Sequence, residues 1–184
     1  MNKILIVHGL GGNSQDNWFP WLKKELEKLG CSVAVPNFPN SENPKLDEWL
    51  SELKKGELDT NYILIGHSLG CSFILNVLEL LDKPVKATFL VAGFTVLLLD
   101  QEINSLIKTF VDKPFNWEKI RNNCSKFYVI NSDNDPHVPF DKALQLALNL
   151  AVEVNLIKGA GHFNEAASFL EFPELLEMIK KELD

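Results

Sequence analysis

The sequence predicts an α/β fold, a parallel sheet of about six strands with helices on both faces. Six apolar runs of about five residues each recur along the 184-residue chain. Longer stretches between them carry apolar residues at three- and four-residue spacing, the period of a helix. The runs are continuously apolar rather than alternating, which implies burial on both faces, as in a parallel sheet covered by helices.

The strand candidates are Lys3–Val7, Ser32–Pro36, Tyr62–Gly66, Ala87–Val91, Lys126–Asn131 and Glu153–Ile157, all rich in Ile, Leu, Val or aromatics. Between the first two, Trp18–Leu29 places Trp18, Trp21, Leu22, Leu26 and Leu29 on one helical stripe, and Gly30 stops it. Leu46–Lys55 is a shorter helix candidate. Ser68–Leu81 is apolar nearly all round, which predicts a buried helix. Phe140–Leu150 follows the fifth strand, and Pro173–Leu183 begins with the proline that suits a first helical turn. The segment Gly93–Trp117 is less regular. It joins an apolar run, Phe94–Leu99, to a helical pattern over Glu102–Val111 and then Pro114-Phe115. It reads equally as a lid over a site or as a peripheral helix packed on the sheet.

This length suits one domain, residues 1–184, around a single core. Hydrophobic residues make up 46% and charged residues 23%, ordinary for a globular protein. The net charge is −7, and an acidic surface repels nucleic-acid phosphates and anionic lipid, so neither is an expected partner. The three cysteines, Cys31, Cys71 and Cys124, form no Cys-x-x-Cys pair and read as free thiols of a reducing compartment. The apolar run Ile4–Val7 is too short for a signal-peptide core, and no segment approaches the roughly 18 apolar residues of a membrane span. A cytoplasmic location is expected.

In a doubly wound sheet, ligands bind at the carboxyl ends of the strands, so chemistry is sought in the loops that follow them. Gly66-His67-Ser68-Leu69-Gly70 lies between a strand and a helix. That is the setting of a nucleophile elbow, where a serine projects from a tight turn at a helix N-terminus. The alternative is a Gly-flanked helix-capping serine. A serine hydroxyl needs a base. Of the four histidines, His162 follows the last strand among the small residues Gly159-Ala160-Gly161, which leave its ring room. The base in turn needs a carboxylate to fix its tautomer. Ser132-Asp133-Asn134-Asp135 follows the fifth strand; Asp135 lies further out and is the expected partner of His162, while Asp133 suits capping of the turn. The order Ser68, Asp135, His162 is that of a Ser…Asp…His triad. Two backbone donors would stabilise an oxyanion: the N–H of Leu69, and that of Leu10 in His8-Gly9-Leu10-Gly11-Gly12. His8 is expected to shape that loop, which matches neither a P-loop nor a dinucleotide fingerprint. Trp18 and Trp21 either line a substrate pocket or pack the first helix. Asp133, Asp135, His137 and His162 lack a recognised metal-ligand spacing, so no metal and no cofactor are expected.

With these residues placed, the chain resembles the α/β-hydrolase superfamily, and within it the compact serine hydrolases related to retinoblastoma-binding protein 9. The resemblance runs through Ile4-Leu5-Ile6-Val7-His8-Gly9, Asn17-Trp18-Phe19-Pro20-Trp21-Leu22, Gly66-His67-Ser68-Leu69-Gly70, Ser132–Pro139 and Gly161-His162-Phe163. It implies a three-layer α/β-hydrolase-like sandwich lacking the first two hydrolase strands, with about six parallel strands and little or no cap. It also implies a triad at Ser68, Asp135 and His162 that cleaves small ester, thioester or amide substrates. A retinoblastoma-protein partner is not implied: both Leu-x-Cys segments here, Leu29-Gly30-Cys31 and Leu69-Gly70-Cys71, lack the glutamate of Leu-x-Cys-x-Glu. The rival expectation is a hydrolase fold kept as a non-catalytic protein-binding module.

Overall fold

Alternate residues of each apolar run face opposite layers, and the two layers need different partners. The computed structural model describes residues 1–53 and 58–183. Its strands are β1 (Lys3–Val7), β2 (Ser32–Ala34), β3 (Tyr62–His67), β4 (Ala87–Val91), β5 (Phe127–Ser132) and β6 (Val154–Ile157). All pair in parallel, in the order β2-β1-β3-β4-β5-β6. The helices are α1 (Phe19–Lys28), α2 (Leu46–Glu52), α3 (Leu69–Leu78), α4 (Gln101–Val111), α5 (Trp117–Asn122), α6 (Phe140–Leu150) and α7 (Pro173–Lys180).

Leu5, Val7, Leu64, Leu90 and Val129 point to one side and pack with Trp49 of α2, Phe73 of α3, Phe110 of α4, Ile120 of α5 and Leu146 of α6. Ile4, Ile6, Ile63, Ile65, Phe89 and Ile130 point to the other, against Trp18, Phe19 and Leu22 near α1 and Phe172, Leu175 and Ile179 near α7. The result is the three-layer α/β-hydrolase sandwich, its open sheet reduced to six strands.

Several boundaries differ from expectation for local reasons. β2 stops before Pro36, which has no N–H to donate to a ladder. α3 begins at Leu69 because Ser68 has a positive φ, and it ends at Leu78 rather than Leu81. Helix α2 ends at Glu52, and part of the expected Leu46–Lys55 lies outside the described residues. α5 has no counterpart among the expected helices: it has six residues, only Ile120 of them buried, too few to display a period. The segment 93–117 is neither a separate lid nor merely peripheral. α4 buries Ile107, Phe110 and Val111, while Ile103 faces a cleft beside Ser68. Asn76 of α3 ties it down by donating to the Phe110 carbonyl at 2.9 Å.

Candidate active site

At the carboxyl end of β3 the chain turns at Ser68, which has φ 54° and ψ −121°. Such a conformation costs a non-glycine residue on the order of 1–3 kcal/mol and persists only where its surroundings enforce it. Here the Ser68 N–H donates to the Val91 carbonyl at 2.9 Å, and the Ser68 carbonyl accepts from Cys71 at 3.0 Å. The flanking glycines are required by contact. A Cβ on Gly66 would lie 2.7 Å from the Cys71 nitrogen, and one on Gly70 would collide with the carbonyl oxygens of Val7 and His8. Gly9 serves the same purpose across the site, where a Cβ would stand 3.0 Å from the Ser68 Cβ. Ser68 is half-buried at the N-terminus of the ten-residue α3.

His162 lies in the loop after β6, where its Nδ1 meets Asp135 Oδ2 at 2.8 Å. The other carboxylate oxygen of Asp135 accepts the N–H groups of His137 at 2.8 Å and Val138 at 2.9 Å. Burial acts to raise the Asp135 pKa, but the His162 contact and the two N–H donors outweigh it and hold the carboxyl below its ordinary value. The Asp135–His162 pair is one rung of a ladder between two loops. Asp133 Oδ1 accepts from Gly159 N–H at 2.8 Å, Ser132 Oγ from Ala160 N–H at 3.0 Å, and Asn134 Oδ1 from Gly161 N–H at 2.8 Å. The last residue of β5 and the three that follow it thus hold four consecutive residues after β6.

Two further side chains hold the His162 loop from beneath. His67 Nε2 donates to the His162 carbonyl at 2.8 Å, and Trp18 Nε1 donates to the Phe163 carbonyl at 3.0 Å. Burial, followed by the neighbouring charge of His162, pushes the His67 pKa down to about 3, so its imidazole stays neutral. His8 is also buried and neutral, its pKa lowered by desolvation. Its Nε2 accepts the Phe38 N–H at 3.0 Å and its Nδ1 donates to the Gly9 carbonyl at 2.8 Å, which fixes the glycine loop. His67, Ser132 and Asn134 had no assigned role in the sequence. Hydrogen bonds across long chain separations leave no local pattern by which to find them.

Ser68, Leu10 and His162 border a cleft with two lobes. One, about 240 Å³, is mainly apolar and reaches Phe94, Leu98, Ile103 and Val138. The other, about 170 Å³, runs along Gly9–Gly12 to Asp16 and Asn17. Ser68 Oγ and His162 share this cleft without a direct hydrogen bond. Gly11 and Gly12 donate their N–H groups to the Ser41 and Gly9 carbonyls. The N–H groups of Leu10 and Leu69 take no acceptor among the described residues. Trp18 does not face the cleft. It is fully buried among Phe19, His67 and Phe172, because its indole N–H is committed to the His162 loop. Trp21 packs partly buried against the same core layer. Among the described residues no three His, Cys, Asp or Glu side chains converge to hold a metal ion, and no helix is long and apolar enough to cross a membrane.

Comparison with known proteins gives this geometry a family. YdeN of Bacillus subtilis is 33% identical over 181 residues, covering 96% of this chain and 94% of that protein. Serine hydrolase RBBP9 of Rattus norvegicus is 29% identical over 185 residues, with 98% and 95% covered. The crystal structure of the ydeN product superposes with a TM-score of 0.93 at 31% identity, over 99% of this chain and 98% of that one. Est1E of Butyrivibrio proteoclasticus shares the fold, with a TM-score of 0.75 at 15% identity over 99% of this chain and 88% of its own. The model of the family described as serine hydrolase matches residues 4–181, and the chain belongs to that family.

Proposed function

We propose that the protein hydrolyses small esters, thioesters or amides through an acyl-serine intermediate, in the manner of a carboxylesterase. The observation that carries this reading is the 2.8 Å contact of His162 Nδ1 with Asp135 at a cleft that Ser68 also lines. Ser68 Oγ attacks the substrate carbonyl carbon as His162 Nε2 takes its proton. The negative charge that develops on the carbonyl oxygen is met by the N–H groups of Leu10 and Leu69, the latter at the positive end of α3. The bond to the leaving group breaks, and His162 returns the proton to it. Water then repeats the sequence, its oxygen bonding to carbon as the Oγ–carbon bond breaks, and Ser68 regains its proton. Asp135 orients the imidazole and stabilises its cation in both halves. Contacts between nucleophile and base that are loose in a free enzyme tighten when substrate arrives.

A fluorophosphonate probe tests the assignment. Wild-type protein takes up one label per chain, and Ser68→Ala takes up none while keeping its melting temperature within a few degrees. Label retained by Ser68→Ala rules out Ser68 as the nucleophile.

A further inference from the structure

The two lobes beside Ser68 differ in character, and the chemistry of deacylation assigns them different occupants. After the leaving group departs, the acyl half stays bonded to Ser68, and water must reach the carbonyl carbon beside His162. Water occupies spaces that offer it several polar partners, whereas apolar cavities stay dry and accept apolar groups. The lobe along Gly9–Gly12 offers peptide groups together with Asp16, Asn17 and Asn164. The larger lobe is lined mainly by apolar residues, among them Phe94, Leu98, Ile103 and Ile107, with His137 and the shared Asn164 as its polar members beside Ser68 and His162.

The apolar wall is built rather than incidental. Asn104 grips Leu98 by both backbone groups, its Nδ2 donating to the Leu98 carbonyl at 2.8 Å and its Oδ1 accepting the Leu98 N–H at 2.7 Å. Asp100 caps α4 by accepting the N–H groups of Glu102 and Ile103, and Ile103 and Ile107 stand one helical turn apart on the cleft side. Ser72 Oγ donates to the Phe94 carbonyl at 2.6 Å, fixing the start of this segment to α3. Leu98 and Ile103 are half-buried, so they present surface to a ligand without carrying the core.

We infer that the apolar lobe holds the acyl chain and that the glycine-lined lobe holds first the leaving group and then the hydrolytic water, with Leu98 and Ile103 setting the acyl length. This rests on Ser68 being the nucleophile. An apolar cavity of about 150 Å³ accepts a benzene ring, so a lobe of about 240 Å³ takes a straight acyl chain of about four to eight carbons. Each methylene buried there raises kcat/KM roughly threefold to fourfold until the lobe is full.

The test uses the intact protein and two ester series. In p-nitrophenyl esters from acetate to dodecanoate, kcat/KM rises to a maximum within that range of about four to eight carbons and falls beyond it. In butyrate esters of ethanol to octanol it varies little. Leu98→Ala and Ile103→Ala move the acyl maximum to longer chains, and Ile103→Phe moves it to shorter ones. A flat acyl series, a maximum that no variant moves, or a length preference that appears in the alcohol series instead overturns the assignment. Rates of Ser68 labelling by alkyl fluorophosphonates of the same chain lengths separate the two levels of failure. No labelling at any length removes the nucleophile on which the inference rests, whereas labelling independent of length removes the lobe assignment alone.

Discussion

Asp133 and Asp135 stand two residues apart on one loop and have different surroundings. The Asp135 side chain has no exposed surface, and it meets His162 with one oxygen and two backbone donors with the other. Asp133 is exposed and accepts one bond, from Gly159 N–H. Removing the charge therefore has unequal consequences. Asp135→Asn is expected to lower kcat by about 10⁴ with the fold intact, because an amide at that position favours the wrong imidazole tautomer. Asp133→Asn keeps an oxygen that can accept from Gly159 and stays near wild type, while Asp133→Ala loses an exposed bond and about 1 kcal/mol of stability. Steady-state kinetics and urea unfolding of the three variants check this. An active Asp135→Asn beside an inactive Asp133→Asn would reverse the assignment.

At the scale of elements, the elbow is a close approach of β1, β3 and α3 that leaves no volume for a methyl group at two glycines. Gly70→Ala drives a carbon against the Val7 and His8 carbonyls, and Gly66→Ala drives one against the Cys71 nitrogen. Backbone lies on the opposing side in both cases and gives way only by moving a strand or helix, so a loss of about 3 kcal/mol or more is expected for each. Gly30 is the contrasting case, with φ +80° and open space for 4 Å around the position a methyl group would take. Gly30→Ala meets only the left-handed backbone penalty, about 1–2 kcal/mol. Thermal unfolding ranks the three, and a Gly70→Ala no worse than Gly30→Ala contradicts the crowding seen at the elbow. The same contrast explains what the sequence made legible. Strands buried on both faces and the Gly-x-Ser-x-Gly turn are local patterns, so β1 and β4 match their expected spans, and Ser68 falls at the expected turn. The ladder from Ser132–Asp135 to Gly159–His162 joins segments about one helix and one strand apart, and the bonds from Trp18 and His67 reach further still. No local period encodes such contacts, which is why the sequence leaves Trp18 open between core packing and a pocket, while in the fold it is buried in the core and props the His162 loop.

Across the whole molecule, the parallel sheet brings the carboxyl ends of β1, β3, β5 and β6 to one edge, and His8, His67 and Asp135, gathered there, titrate below their ordinary values. That arrangement links stability to acid. His67 is 4% exposed and has a folded pKa of about 3, against about 6.5 when unfolded. Between those values the unfolded chain binds a proton that the folded chain excludes, so stability falls as pH falls through this window. His8, lowered by burial, acts in the same direction. Asp135, held below its ordinary value, adds stability that is present above its unfolded pKa and is lost as pH drops through the folded one. For His67 alone the loss is about 1.4 kcal/mol per pH unit below 6.5, or about 2 kcal/mol by pH 5. His67→Gln isolates this contribution, since an amide can still donate to the His162 carbonyl but does not titrate. The variant is expected to be less stable than wild type at pH 7.5, through imperfect packing, and to close that gap by about 2 kcal/mol at pH 5. Denaturant unfolding at the two pH values measures the difference directly. A gap that stays constant with pH would mean that His67 is not the neutral, acid-sensitive support of the His162 loop.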